Sequence, residues 1–168
     1  MPRPVVPILA PGALAAAKLP HLKSIIRVGA DPTPGMLNFN AVVDSGRDSA
    51  PATLDALGAD LDPEDAINIQ FTSGTTGAPK GATLSHVNIV NNGRFVVGAQ
   101  NLTEQDRLCI PVPLYHCFGM VMGSLGCVTT GAAMIFPSEG FDADSCLRAL
   151  ADERCTAVYG VPTMFIAE

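Results

Sequence analysis

Apolar and polar positions settle into a regular order from Ala66 onward. Ile67 to Thr72 is a short apolar run that predicts a strand leading straight into a Ser/Thr/Gly stretch, and Gly81 to Ser85 predicts a second strand leaving it. Ser85 is placed to cap a helix from His86 to Ala99. Val87, Ile89, Val90, Phe95, Val96 and Val97 make one broad apolar face of that helix, and Asn91, Asn92 and Arg94 take the other. The pattern then predicts a strand at Arg107 to Pro111, a helix near His116 to Val128 and a strand at Ala132 to Phe136. An amphipathic helix over Asp142 to Arg154 and a strand at Ala157 to Gly160 complete it. Strands separated by helical segments of this length predict parallel β-α-β crossovers, and so an α/β fold with a mostly parallel sheet, flanking helices and both sheet faces buried.

The first 65 residues are less ordered. Gly12 to Leu19 reads as a short helix, and Leu22 to Val28, with Ile25, Ile26 and Val28, as a strand. Asp31 to Asp65 is enriched in Pro, Gly, Asp and Ser and is expected to run over the surface, with short helical turns at Leu37 to Val43 and Ala52 to Leu57. The chain therefore divides into a loop-rich segment 1–65 and a patterned segment 66–168.

Composition narrows the functions open to such a fold. With 168 residues, 48% of them apolar, the chain can bury roughly 70% of its unfolded surface as one domain. A net charge of -6 with ten Lys plus Arg provides no basic field, which excludes nucleic acid as an expected partner. An anionic ligand has to be held locally, by backbone N–H groups and one or two placed cations. The five cysteines are widely spaced, with no Cys-x-x-Cys pair, so neither a zinc site nor a disulfide framework is expected. They read as free thiols in a reducing compartment, the cytoplasm. Val5 to Ala17 superficially resembles an export signal, but Pro7, Pro11 and Gly12 break it. Leu108 to Ser138 lacks Asp, Glu, Lys and Arg over a length that would span a bilayer. His116, Ser124, Thr129, Thr130, Pro111, Pro113, Gly131 and Pro137 make it read as buried strand, helix and strand, so no transmembrane segment is expected.

The chemistry concentrates in Thr72-Ser73-Gly74-Thr75-Thr76-Gly77-Ala78-Pro79-Lys80-Gly81. Glycines at 74, 77 and 81 can take positive φ and let backbone approach an anion; Ser73, Thr75 and Thr76 supply hydroxyl donors; Lys80 supplies a mobile positive charge. Hydrogen bonds to charged groups contribute about 1.5–3 kcal/mol each, so three or four offset the mismatch between an acidic protein and an anionic nucleotide. Lys80 is followed by Gly81, not by the Ser or Thr that holds magnesium in a Walker A loop, so this is not a standard P-loop. The plainer alternative is a Ser/Thr/Gly-rich hairpin turn with an exposed lysine.

This run resembles the signature loop of AMP-forming acyl-CoA synthetases, luciferases and nonribosomal peptide adenylation domains. Ile67 to Phe71 and Ala82 to His86 resemble its flanks, and Pro113-Leu114-Tyr115-His116-Cys117-Phe118-Gly119 resembles the next motif of that family. The resemblance implies that segment 66–168 is the ATP phosphate-loop portion of the large N-terminal domain of an adenylate-forming ligase, with 1–65 fitting loosely. It implies a carboxylate attacking the α-phosphorus of ATP to give acyl-AMP and pyrophosphate, followed by acyl transfer to the thiol of CoA. Thr72, Ser73, Gly74, Thr75, Thr76, Gly77, Ala78, Pro79 and Lys80 would contact the β and γ phosphates. His116, Phe118 and Gly119 would border the acid, with His116 as a gate. On the residues alone, His116 reads equally as a core histidine hydrogen-bonded at a helix start. Phe118, Met120, Val121 and Met122 read equally as a wall for an aliphatic tail or as core. The tyrosine-histidine form of the motif resembles fatty-acid-activating members, which implies a medium or long-chain fatty acid. His21 and His86 carry no assigned role.

The Tyr-Gly-x-Thr-Glu motif of the family, its ribose-binding aspartate and its terminal catalytic lysine have no counterpart in these residues. Tyr159-Gly160-Val161-Pro162-Thr163 is followed by Met164 where that motif needs Glu. The ligands of Mg2+ are thus expected outside this sequence, and no residue here is assigned to metal or to a complete catalytic set. The expectation is an internal fragment with little ligase activity of its own, needing the remainder of the ligase for stability. Two other readings stand beside it: a noncatalytic nucleotide-binding or interaction module derived from such a ligase, and an exported α/β protein with coincidental motifs.

Overall fold

The computed structural model describes residues 18–47, 51–73 and 77–168. They fall into two units, Met1–Leu61 and Asp62–Glu168. Most of the helix expected at Gly12 to Leu19 lies outside the described residues, and Lys18 and Leu19 are not helical.

In the first unit, β1 (Ile26–Arg27) pairs in parallel with β2 (Leu37–Asn38), which leads into α1 (Phe39–Gly46); α2 (Pro51–Ala59) follows. The strand expected over Leu22 to Val28 shrinks to two residues because its partner is equally short. The Asn38 side chain turns to accept the N–H of Asn40 at 2.9 Å and starts α1. None of the described residues of this unit is buried.

The second unit opens with β3 (Ala66–Thr72) and β4 (Lys80–Ser85), paired antiparallel from Thr72↔Lys80 back to Ala66↔Ser85. The expectation of parallel crossovers concerns strands joined through helices; these two are joined by a short loop, and a parallel return needs a dozen or more residues. Both faces are not buried here, since Ile67, Ile69 and Phe71 are exposed. Ser85 then caps α3 (His86–Ala99) in a reciprocal box: the Asn88 N–H donates to Ser85 Oγ at 3.3 Å, and the Ser85 N–H donates to Asn88 Oδ1 at 3.0 Å.

The parallel expectation holds for the remaining strands. β5 (Arg107–Cys109) lies between β6 (Ala133–Ile135) and β7 (Ala157–Val158), parallel to both. The helix expected from His116 to Val128 is a π-helical segment, Phe118–Leu125, that continues as α4 (Gly126–Thr130). Its unusual winding accompanies close packing on α3: a Cβ on Gly93 would lie 3.0 Å from the Val121 carbonyl oxygen. α5 (Ala143–Asp152) is capped by Asp142, which accepts the Ser145 N–H at 2.8 Å. α6 (Pro162–Ala167), not anticipated from the sequence, begins with proline at a helix start where its missing N–H costs nothing.

Alternation along β5 and the residues after it feeds two cores. Leu108, Ile110 and Val112 pack with Cys127, Ala132 and Tyr159, while Cys109 packs with Ile135 and Cys146 on the opposite face. The connection from β5 to β6 thus covers one sheet face, and α5, between β6 and β7, covers the other. Among the described residues no helix is long and apolar enough to cross a membrane.

Candidate functional site

The Ser/Thr/Gly stretch forms the tip of the β3–β4 hairpin. Gly74, Thr75 and Thr76 lie outside the described residues; Thr72, Ser73, Gly77, Ala78, Pro79 and Lys80 are all exposed there. Gly77 has φ +100°, a conformation that a side chain would strain. Gly81 differs from the expectation of positive φ: it is an ordinary strand position opposite Phe71, and a Cβ there would sit 3.0 Å from Ile69 Cγ2. Its small size gives room to the apolar side chains beside it. Thr72 stands opposite Lys80 and its hydroxyl lies 3.5 Å from the Lys80 carbonyl. Among the described residues Lys80 forms no salt bridge.

Strand alternation puts Thr72, Lys80 and Leu84 on one face of the hairpin, with Lys80 and Leu84 about 14 Å apart along β4. Leu84 borders a groove of about 600 Å3. Asn88, Ile89, Asn92 and Phe95 of α3 form one wall; Cys117, Val121 and Met122 form the other. Val121 and Met122 take the expected place on such a wall, whereas Met120 does not line it. Phe118 turns instead to Tyr159, with ring centroids 5.0 Å apart, and packs on the core. The contributions of α3 were not legible in sequence. Asn88, Asn92 and Phe95 recur at helical spacing, but nothing in that spacing says what they face.

His116 sits at the entrance to the π-helical segment, exposed. Its Nδ1 accepts the Phe118 N–H at 3.1 Å, and its backbone N–H donates to the Pro113 carbonyl at 3.2 Å. It is thus the hydrogen-bonded histidine of a helix start, but not a core residue. With Nδ1 accepting, the neutral ring carries its proton on Nε2. Gly119 is buried beneath the same turn, where a Cβ would lie 2.5 Å from the Pro113 carbonyl oxygen.

The remaining reactive side chains are packed away. The Cys109 and Cys146 thiols share a hydrogen bond at 4.0 Å and form no disulfide, and burial pushes both upward, as it does Cys127 and Cys155. Cys117 is the exposed thiol. Tyr159 is a core residue whose hydroxyl donates to Gln100 Oε1 at 2.6 Å, and Thr163 belongs to α6. Among the described residues no group of three or more His, Cys, Asp or Glu is placed to hold a metal ion.

A Ser/Thr/Gly loop at a hairpin tip, with a groove at the base of the same hairpin, coincides with a family match: the model of the AMP-binding enzyme family covers residues 6–168. The chain belongs to the AMP-binding enzyme family. It is 45% identical over 158 residues to the putative acyl-CoA synthetase YngI of Bacillus subtilis, covering 94% of this chain and 29% of that protein. It is 47% identical over 163 residues to the mitochondrial medium-chain acyl-CoA ligase ACSF2 of Homo sapiens, covering 93% and 26%. Among solved structures, ATP-bound MatB from Rhodopseudomonas palustris superposes with a TM-score of 0.56 at 36% identity, over 64% of this chain and 21% of that one. The chain spans about a quarter of the length of these curated relatives. Its α/β architecture is that of part of the large N-terminal domain of an adenylate-forming ligase.

Proposed function

We propose that this AMP-binding family member contributes the phosphate grip and part of the acid groove of an acyl-CoA synthetase, with a medium or long-chain fatty acid as substrate. The observation that carries this reading is the shared hairpin face, which runs from Thr72 and Lys80 at the tip to Leu84 at the groove. In this reading Thr72 to Lys80 hold the β and γ phosphates of ATP: exposed hydroxyls at Thr72 and Ser73 and a lysine without a salt bridge among the described residues suit that role. Lys80 stabilises charge building on departing pyrophosphate. His116 gates the way from groove to phosphate site, and Gly119 and Phe118 hold its turn in place. The groove has a size ordinary for a small-molecule site, about 300–1,000 Å3. Its lining carries no charged side chain, which suits an aliphatic tail. The medium-chain name of the ACSF2 relatives agrees.

Mg2+ belongs with the nucleotide, but the described tip residues offer no carboxylate for it, so its ligands come from elsewhere and no step is assigned through it. CoA is the thiol acceptor. The division near residue 65 is supported by the unit boundary at Leu61. The chain alone binds nucleotide without completing acyl transfer, and gains stability from the rest of a ligase; exposed Ile67, Ile69 and Phe71 support the latter. The free thiols support a reducing compartment, the cytoplasm in our reading, although the mitochondrial name of ACSF2 accords with the same chemistry. Nucleic acid has no place in it, given the acidic balance.

Titration calorimetry of ATP into the chain and into Lys80→Ala tests the grip. Loss of one charge-assisted contact is expected to weaken binding about tenfold or more. Equal affinities would remove Lys80 from the site. Binding without any acyl-AMP formation, when the chain is reunited with the rest of a ligase, would favour a noncatalytic nucleotide-binding module.

A further inference from the structure

A second cleft, of about 370 Å3, lies beyond the carboxyl ends of β5 and β6 and is separate from the groove against α3. The chain leaving β5 returns to β6 over the face that holds Leu108 and Cys127, whereas the chain leaving β6 crosses to β7 over the face that holds Cys109 and Cys146. Open α/β sheets bind ligands outside the carboxyl ends of their strands, which is where this cleft lies.

The lining indicates what kind of ligand fits. Tyr115 on the β5 side and Phe136 and Phe141 on the β6 side present three aromatic residues, and Met164 and aliphatic side chains supply the rest of the apolar surface. Tyr115 is 89% exposed, so its ring is largely free of packing. Glu139 is the one charged residue of the lining, no Lys or Arg joins it, and it makes no salt bridge among the described residues. The turn carrying it is tied by Ser138 Oγ donating to the Gly140 carbonyl. A carboxylate with aromatic neighbours disfavours phosphates and carboxylates and favours a positive charge clothed in carbon, since ring faces attract cations that water hydrates weakly. The net charge of -6 adds a general attraction for cations.

We infer that this crevice binds a small organic ammonium ion, of the alkyl- or trimethylammonium class, with the cationic head against Glu139 and the aromatic residues. This inference stands apart from the acid and nucleotide sites, and ATP titration reads those sites separately, so the two proposals fail independently.

The test compares choline with its neutral isostere 3,3-dimethylbutan-1-ol, by amide chemical shifts of the full chain. Choline is expected to move the amides of Tyr115, Phe136 and residues 138–141. The alcohol is expected to bind at least about fivefold more weakly, and Glu139→Gln and Phe136→Leu to weaken choline about two- to fivefold each. Both substitutions fall on exposed positions, so a dispersed amide spectrum should persist and show that the fold is intact. Identical titrations by choline and alcohol would overturn the inference. So would shifts confined to other regions, or no shift up to about 50 mM choline in a folded chain.

Discussion

At Gly119, a single methyl group decides whether the turn from Pro113 to the π-helical segment can close. A Cβ there would meet the Pro113 carbonyl oxygen at 2.5 Å, and the contact is with backbone that has no rotamer to move. Gly119→Ala should therefore destabilise the fold by about 1–3 kcal/mol, the usual range for overpacking, and lower the thermal midpoint accordingly. Gly98 is the control. It lies in α3, where an added methyl would have nothing within 4 Å, so Gly98→Ala should raise stability by about 0.5–1 kcal/mol. If both variants melt alike, the close contact at Gly119 is not what the residue is for. Asp106 gives the corresponding prediction for pH. The Thr156 hydroxyl at 2.7 Å and the Thr103 N–H and hydroxyl at 2.7 and 3.0 Å all donate to its carboxylate and hold it below the usual aspartate range. A group whose folded pKa is depressed contributes stability that is present above the unfolded value and lost as pH falls through the folded one. Thermal midpoints should thus be flat near neutrality and fall on the acid side of the ordinary aspartate range. Asp106→Asn should make that fall shallower; an unchanged profile would remove Asp106 from the acid response.

The start of α3 joins local signals to the groove. Ser85→Ala removes the acceptor for the Asn88 N–H, and loss of such a cap costs about 1 kcal/mol. The Asn88 side chain, a groove residue, keeps its bond to the backbone N–H of residue 85, so the midpoint of a denaturant melt should drop while groove-directed ligands bind as before. Weaker binding of those ligands in the variant would show that the cap orders the groove as well as the helix. Elements defined by such local chemistry were the legible ones. Ser85 fixed the first residue of α3, Asp142 that of α5, and Asn38 drew a helix out of what read only as turns. What escaped depended on partners distant in sequence. Whether β3 and β4 run parallel or antiparallel is decided by the length of their connection, so the parallel order of β5 to β7 does not carry over to them. The π winding of 118–125 accompanies close packing on α3, far off in sequence, where a Cβ on Gly93 would lie 3.0 Å from the Val121 carbonyl oxygen. The site divided in the same way. The loop from Thr72 to Lys80 stood out by composition and the motif around His116 by its resemblance, whereas Leu84, Asn88, Asn92 and Phe95 became groove residues only through tertiary packing.

At the scale of the whole chain, burial is unevenly distributed. Every described buried residue, from Ser85 to Tyr159, belongs to the second unit, while the first holds two short paired strands and two helices without one. Limited proteolysis should therefore attack the first unit and the acidic stretch near Asp60 to Asp65, and leave a resistant product beginning near Asp62. Early cleavage between β5 and α5 instead would show that the buried clusters do not form a stable core in isolation. Within that product, the strand order also sets a sequence of events in time. Leu108 meets Met134 through a loop about half as long as the one that brings it to Ala157, and closing the longer loop costs about 0.6 kcal/mol more. The central strand should acquire its first neighbour while the chain is still emerging from the ribosome and remain open on its other flank until residues 157–159 arrive. Tyr159, reaching Gln100 through its hydroxyl, would then be the last latch to close, and a nascent chain stalled before it would present a hydrogen-bonding edge to whatever lies nearby.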